Sequence, residues 1–176
     1  EVSFTREDVR ITTRYSKNYL PMALFGTLHE TGHGLYEQGV SPELTRSALT
    51  TDFLGQYAVG GTSYGAHESQ SRLWENQIGR SMAFWENHFG RLREYFPEQL
   101  ADVDAAYFYR AVNRVSTSLI RVEADEVTYN FHIMLRVEIE MGLLDGTFNV
   151  EELPGVWNEK MEEYLGVVPE AAGQGV

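Results

Sequence analysis

The chain contains no cysteine. That excludes disulfides, thiolate metal sites and a thiol nucleophile, so any metal must be held by histidine and carboxylate. Basic residues are scarce: 14 Lys+Arg stand against 26 Asp+Glu, for a formal net charge of −12. A nucleic-acid binder needs a basic stripe, and no Lys/Arg cluster occurs; the same deficit disfavours an anionic membrane surface. Apolar runs are too short to span a membrane, and there is neither an internal repeat nor a low-complexity tract. Apolar matter as such is not lacking. At 43% hydrophobic and 12% aromatic over 176 residues, the chain can bury a core and does not read as disordered. It opens on Glu1 rather than Met, so it carries no targeting information and reads as cut from something longer. The absence of cysteine allows a reducing compartment without requiring one; the cytoplasm is the expected location.

The periodicity predicts a mainly α protein. A first helix is expected over about 18–38, with Leu20, Leu24, Leu28, Leu35 and Tyr36 at helical spacing, Pro21 in its first turn and Gly39 as its stop. A long second helix is expected over about 66–95, closed by Pro97. A third pattern covers about 97–115 with a break near Asp102–Asp104, a fourth about 119–144, and a short last helix about 154–165. Residues 41–65 between the first two helices are rich in Gly, Ser and Thr, which predicts a flap or short strands. Residues 166–176 read as a flexible tail.

Within the first helix lies TLHETGHGLYEQG, residues 27–39. Helical residues four apart share a face, so His29 and His33 can bring their imidazoles to one point, as zinc requires. Glu30 is rotated by about 100° from His29. It would not be a ligand, but it can take a proton from the attacking water and pass it to a leaving amine. A catalytic zinc needs a third protein ligand, and with no cysteine the candidates are Glu68, His67, His88, His132 and other acids. Glu68, in GAHESQSRLWEN at 65–76, falls in the first turn of the second helix, where a carboxylate can reach a neighbouring helix. An acid stabilised by the helix dipole is the plainer reading of that position.

The fourth pattern places Arg121, Asp125, Thr128, His132 and Arg136 in one polar stripe beside an apolar one, with Ile133 and Val137 apolar on a further side. A helix apolar nearly all round is expected to be buried. Its charged stripe is then an internal ion-pair network or the wall of a polar cleft.

Four segments in this order, DVRIT at 8–12, HETGH at 29–33, HESQSR at 67–72 and IRVEADEVTYNFH at 120–132, resemble the Taq-type thermostable metallocarboxypeptidases. TTRYSKNYL, SRLWENQIGRS and LPGVWNEKMEEYLGV resemble that family too, so the likeness covers nearly the whole chain. It implies a mostly helical, zincin-like metallopeptidase core with a deep groove, and an enzyme that releases residues one at a time from peptide C-termini. Broad side-chain tolerance, weak action at proline and a homodimer come with it.

The resemblance also implies roles. His29, His33 and Glu68 would hold Zn2+, with Co2+ or another divalent ion as the alternative, and Glu30 would be general base and acid. Arg121 would pair with the substrate's terminal carboxylate, which its fork matches bidentately. Asp8, Arg10 and Thr12, the D-x-R-x-T motif, would shape the groove, with Arg10 also placed among the substrate-binding residues. From the stripe, Asp125 is expected to orient a ligand imidazole, with His132 beside it. Family members are longer: an H-P-F motif would precede Glu1, and Gly175-Val176 match only the first two letters of a final G-x-x-Q-D-x-H-W motif. Residues 1–176 are therefore expected to be a catalytic-core fragment of a larger single-domain enzyme whose partners are peptides with a free C-terminus. An internally cutting zinc oligopeptidase and a non-catalytic helical module are the competing readings.

Overall fold

The computed structural model describes residues 2–44 and 64–171. Residues 45–63, where most of the expected flap falls, and residues 172–176 of the expected tail lie outside the described residues. The chain divides into two compact units, Glu1–Val112 and Asn113–Val176. Both are mainly helical.

The first unit begins with a hairpin that the periodicity did not predict. Strand β1 (Val2–Thr5) pairs antiparallel with β2 (Asp8–Arg10). Helix α1 (Leu20–Gly39) follows with Pro21 in its first turn, as expected. The expected long helix over 66–95 is three pieces: α2 (Tyr64–Arg72), a π-helical segment (Leu73–Ile78) and α3 (Met82–Tyr95). The break has a local cause. Ser81 is extended, and its hydroxyl accepts the Phe84 N–H at 3.1 Å, which starts α3 afresh. Helix α4 (Ala105–Val112) begins where Asp104 accepts the Tyr107 N–H at 2.6 Å, in keeping with the break expected at 102–104. The core is aromatic: Phe25, Trp85 and Phe89 are buried, with Leu24, Leu28, Phe84, Leu92 and Phe108 against them. The Trp85 and Phe108 rings meet edge to face, centroids 4.5 Å apart.

The second unit is a helix pair. Helix α5 (Thr128–Asp145) packs on α6 (Leu153–Leu165) through buried Leu135, Ile139, Met161 and Leu165. Gly146 (φ 77°) and Gly166 (φ 66°) end the two helices in the left-handed conformation. The expected helix over 119–144 starts late: residues 121–123 form one 3₁₀ turn, and α5 begins only at Thr128. Asp125 is the reason. Its carboxylate accepts the N–H groups of Val127 at 2.9 Å and Thr128 at 3.0 Å, the Thr128 hydroxyl at 2.8 Å, and the Ser116 N–H at 2.9 Å. A short acidic side chain that satisfies nearby N–H groups caps a helix rather than continuing one. Helix α5 is also less buried than expected. Ile133, Val137, Met141 and Leu144 are exposed on the side away from α6. No described helix is long and apolar enough to cross a membrane.

Candidate metal centre

The centre arises where α1 and α2 touch. A Cβ at Gly32 would lie 2.5 Å from both the Gln70 carbonyl oxygen and Ser71 Cα, so only glycine lets the two backbones approach this closely. One turn of α1 then carries His29 and His33 past α2, and Glu68 of α2 faces both. His29 Nε2 and His33 Nε2 are 3.2 Å apart. Glu68 Oε2 is 3.5 Å from His29 Nε2 and 3.2 Å from His33 Nε2. Among the described residues, these are the only three His or acidic side chains gathered closely enough to hold one ion.

The triangle fits zinc. Four donors placed tetrahedrally at about 2.0–2.1 Å from an ion are about 3.3–3.4 Å from one another. All three observed separations fall within about 0.2 Å of that edge. Two imidazoles and a carboxylate form a catalytic zinc donor set, which leaves a fourth position for water or substrate.

Fixed charge surrounds the triangle. His29 Nδ1 is 2.9 Å from Glu75 Oε2. That carboxylate also meets Arg72 Nη1 at 3.4 Å and Arg80 Nη2 at 3.7 Å. The Glu75 contact directs the His29 ring and leaves Nε2 facing the other donors. Burial alone would lower the His29 pKa. The hydrogen bond to Glu75 and the charges of Glu68, Glu75 and Glu30 outweigh it, and the pKa is raised. Burial likewise pushes the Glu68 carboxyl up, but the hydrogen bond with His33, the charge of His29 and the Ser71 hydroxyl, 2.9 Å away, hold it at about 2.

Glu75 did not emerge from the sequence. Seven residues after Glu68, it would share a face with it on a regular helix, and that spacing was the available signal. The π-helical segment carries it; such segments recur at functional positions.

The other expected residues are distributed as follows. Glu30 follows His29 on α1, half-buried, close enough for its charge to act on the His29 ring. On β2, Arg10 forks onto Asp8 with contacts of 2.8 and 2.9 Å; each holds the other's pKa in its charged form, Asp8 lowered and Arg10 raised. Thr12 is exposed. His67 is buried against Glu37 and His88 is exposed, so neither joins the three donors. Arg121, Asp125 and His132 belong to the second unit. Arg121 Nη1 donates to the Tyr129 hydroxyl at 2.9 Å. Asp125 caps α5 through the four contacts above. His132 is fully buried, with Arg136 Nη1 3.4 Å from its Nδ1. Burial, then the positive charge of Arg136, lower its pKa.

Known proteins with this pattern are much longer. The chain is 49% identical over its whole length to thermostable carboxypeptidase 1 of Thermus thermophilus, covering 32% of that protein. It is 41% identical over 99% of its length to carboxypeptidase 1 of Bacillus subtilis, covering 33% of it. The M32 carboxypeptidase of Deinococcus radiodurans superposes with a TM-score of 0.86 at 48% identity, over 95% of this chain and 32% of that one. Metallocarboxypeptidase 1 of Trypanosoma cruzi gives 0.81 at 45% identity, over 93% and 32%. The chain thus spans about a third of the length of the relatives it matches. The sequence model of the Carboxypeptidase Taq (M32) metallopeptidase family matches residues 1–176 without remainder, and this chain belongs to that family.

Proposed function

We propose that the chain is the catalytic-core part of a zinc-dependent carboxypeptidase that releases C-terminal amino acids from peptides with broad side-chain tolerance. The observation that carries this is the triangle of His29, His33 and Glu68, with separations of 3.2, 3.2 and 3.5 Å, and a second glutamate, Glu30, next to the first histidine. A zinc ion bound there supplies Lewis acidity toward a peptide carbonyl and makes water more acidic.

The chain's own residues do the rest. His29, His33 and Glu68 hold the ion. Glu75 keeps the His29 ring in orientation. Glu30 takes the proton of the attacking water and returns it to the departing amine. Arg121 pairs with the free carboxylate of the substrate, which confines cleavage to the last residue. This role rests on the family pattern and on the bidentate chemistry of the guanidinium group. Asp8 and Arg10, locked in a fork, and Thr12 shape the groove. Asp125 caps α5 from the loop that carries Arg121, and His132 is buried one turn further along that helix. We assign the enzyme to the cytoplasm and, on family resemblance, to a homodimer of the longer chain.

The test uses the full-length enzyme and a peptide pair, one with a free and one with an amidated C-terminus. Glu30→Gln should retain zinc and lose about 10²–10⁴-fold in kcat. The unsubstituted enzyme should trim only the free peptide. Normal turnover by Glu30→Gln would refute the assignment of the base, and equal cleavage of the amidated peptide would identify an endopeptidase instead.

A further inference from the structure

The two imidazoles of the triangle are supported differently. His29 has a carboxylate on its second ring nitrogen, at 2.9 Å. The second nitrogen of His33, Nδ1, is buried and has no hydrogen-bond partner among the described residues. A metal-binding imidazole normally gives that nitrogen to a carboxylate, a carbonyl or water, and the bond fixes the ring plane. Another contact must therefore hold the plane of His33.

That contact is a third imidazole. The His67 ring lies almost parallel to the His33 ring, centroids 4.5 Å apart and planes 17° from parallel. His67 is itself held. It is 5% exposed, its Nε2 is 2.9 Å from Glu37 Oε1, and the Tyr36 ring meets it edge-on at 4.9 Å. Glu37 stands one turn after His33 on α1, and His67 directly precedes Glu68 on α2. The clamp therefore ties the helix bearing two donors to the helix bearing the third, beside all of them. His67 is not among the three gathered donors, and its Nε2 faces Glu37.

We propose that His67, clamped by Glu37, is a positioning residue that sets the ring plane of His33 and so its readiness to bind the metal. This rests on reading His29, His33 and Glu68 as the metal site. A ring ligand binds through a lone pair in its own plane, so rotation about the Cβ–Cγ bond carries Nε2 off the line to the ion. A flat neighbour at stacking distance resists that rotation without a hydrogen bond. The second neighbour, Glu37, keeps the stack from sliding.

The experiment measures zinc affinity by chelator competition and the visible absorption bands of the cobalt-substituted protein, on the full-length enzyme. His67→Ala should weaken zinc about 10- to 100-fold, as removal of a ligand's supporting partner does, and should broaden or shift the cobalt bands. His67→Phe keeps a flat ring in the stack and should recover most of the affinity. His88→Ala, at an exposed histidine, should change neither readout. Wild-type affinity and bands in His67→Ala, or a His67→Phe variant as weak as His67→Ala, would overturn the proposal. If His67→Ala does not fold by near-ultraviolet circular dichroism, Glu37→Ala carries the test: weaker zinc supports the clamp, and unchanged zinc overturns it. His33→Ala separates the two levels. If it binds zinc normally, the metal site itself is misread; if it loses zinc while His67→Ala keeps it, only the clamp is wrong.

Discussion

The first unit, residues 1–112, and the second, residues 113–176, are both helical but spend their polar residues differently. In the first, polar side chains reach between helices: His29 to Glu75, His33 to Glu68, His67 to Glu37. Each contact joins α1 to the α2–π segment around one point. In the second, the helix pair is joined by apolar packing, with the exposed Glu138 of α5 meeting Lys160 and Tyr164 of α6, and other polar side chains serve their own neighbourhood. Asp125 caps α5, Arg121 reaches Tyr129, and Arg136 turns back onto the His132 carbonyl. Cross-helix polar contacts that are largely buried and converge on one point mark a constructed site. Local ones mark the making of a helix end. The same residue types, Asp, Arg and His, carry different information according to the distance along the chain to their partners.

The largest effect is expected from pushing the helices of the first unit apart. Gly32→Val places carbon atoms where a Cβ already lies 2.5 Å from Gln70 O and Ser71 Cα. Overpacking of this kind costs about 1–3 kcal/mol or more. It should also move Glu68 away from the histidines, so zinc content in the full-length enzyme should fall from about one ion per chain to almost none. Full zinc retention, measured by atomic absorption, would mean that the close approach does not build the site.

A smaller effect is expected from Glu75→Gln, which preserves shape and removes charge. Zinc affinity should fall about tenfold, with little change in melting temperature. An unchanged dissociation constant would leave the cross-helix contact of 2.9 Å as packing only.

The smallest effect belongs to the second unit and depends on pH. His132 is buried with its pKa lowered from 6.5, by burial first and then by Arg136. The unfolded chain therefore takes up a proton at higher pH than the folded one. The contribution of His132 to stability is complete above about 6.5 and is lost as pH falls toward the lowered value. The protection factors of the α5 amides, with the intrinsic pH dependence of exchange divided out, should fall over that window, and His132→Phe should flatten the dependence. Protection factors that fall on raising the pH instead would reverse the assigned sign.

These contrasts also explain what could be read from the sequence. The His29–His33 pair was legible because a continuous helix converts a spacing of four into a shared face. Pro21 and Gly39 were legible as helix punctuation. Glu68 needed its motif, because its meeting with α1 depends on a backbone approach at Gly32 that no periodicity reports. Glu75 was missed for a related reason: the π-helical segment and the break at Gly79–Ser81 interrupt an apolar pattern that runs smoothly from Ile78 to Met82. In the second unit the stripe from Arg121 to Arg136 was drawn on a helix that does not exist before Thr128. Asp125 has the same spacing as a helical neighbour, but its carboxylate does better as a cap, and local hydrogen bonding won over periodicity. The hairpin escaped notice because its two strands have only four and three residues, too few for alternation to stand out.

The metal centre depends on one triangle of atoms, which a diffraction experiment tests directly. Crystals of the full-length, zinc-loaded enzyme, measured on both sides of the zinc absorption edge, should show one strong anomalous peak per chain. It should lie about 2.0–2.2 Å from His29 Nε2, His33 Nε2 and a Glu68 carboxylate oxygen. A peak bound elsewhere, or one held by the histidines with Glu68 turned away, would contradict the metal centre described above.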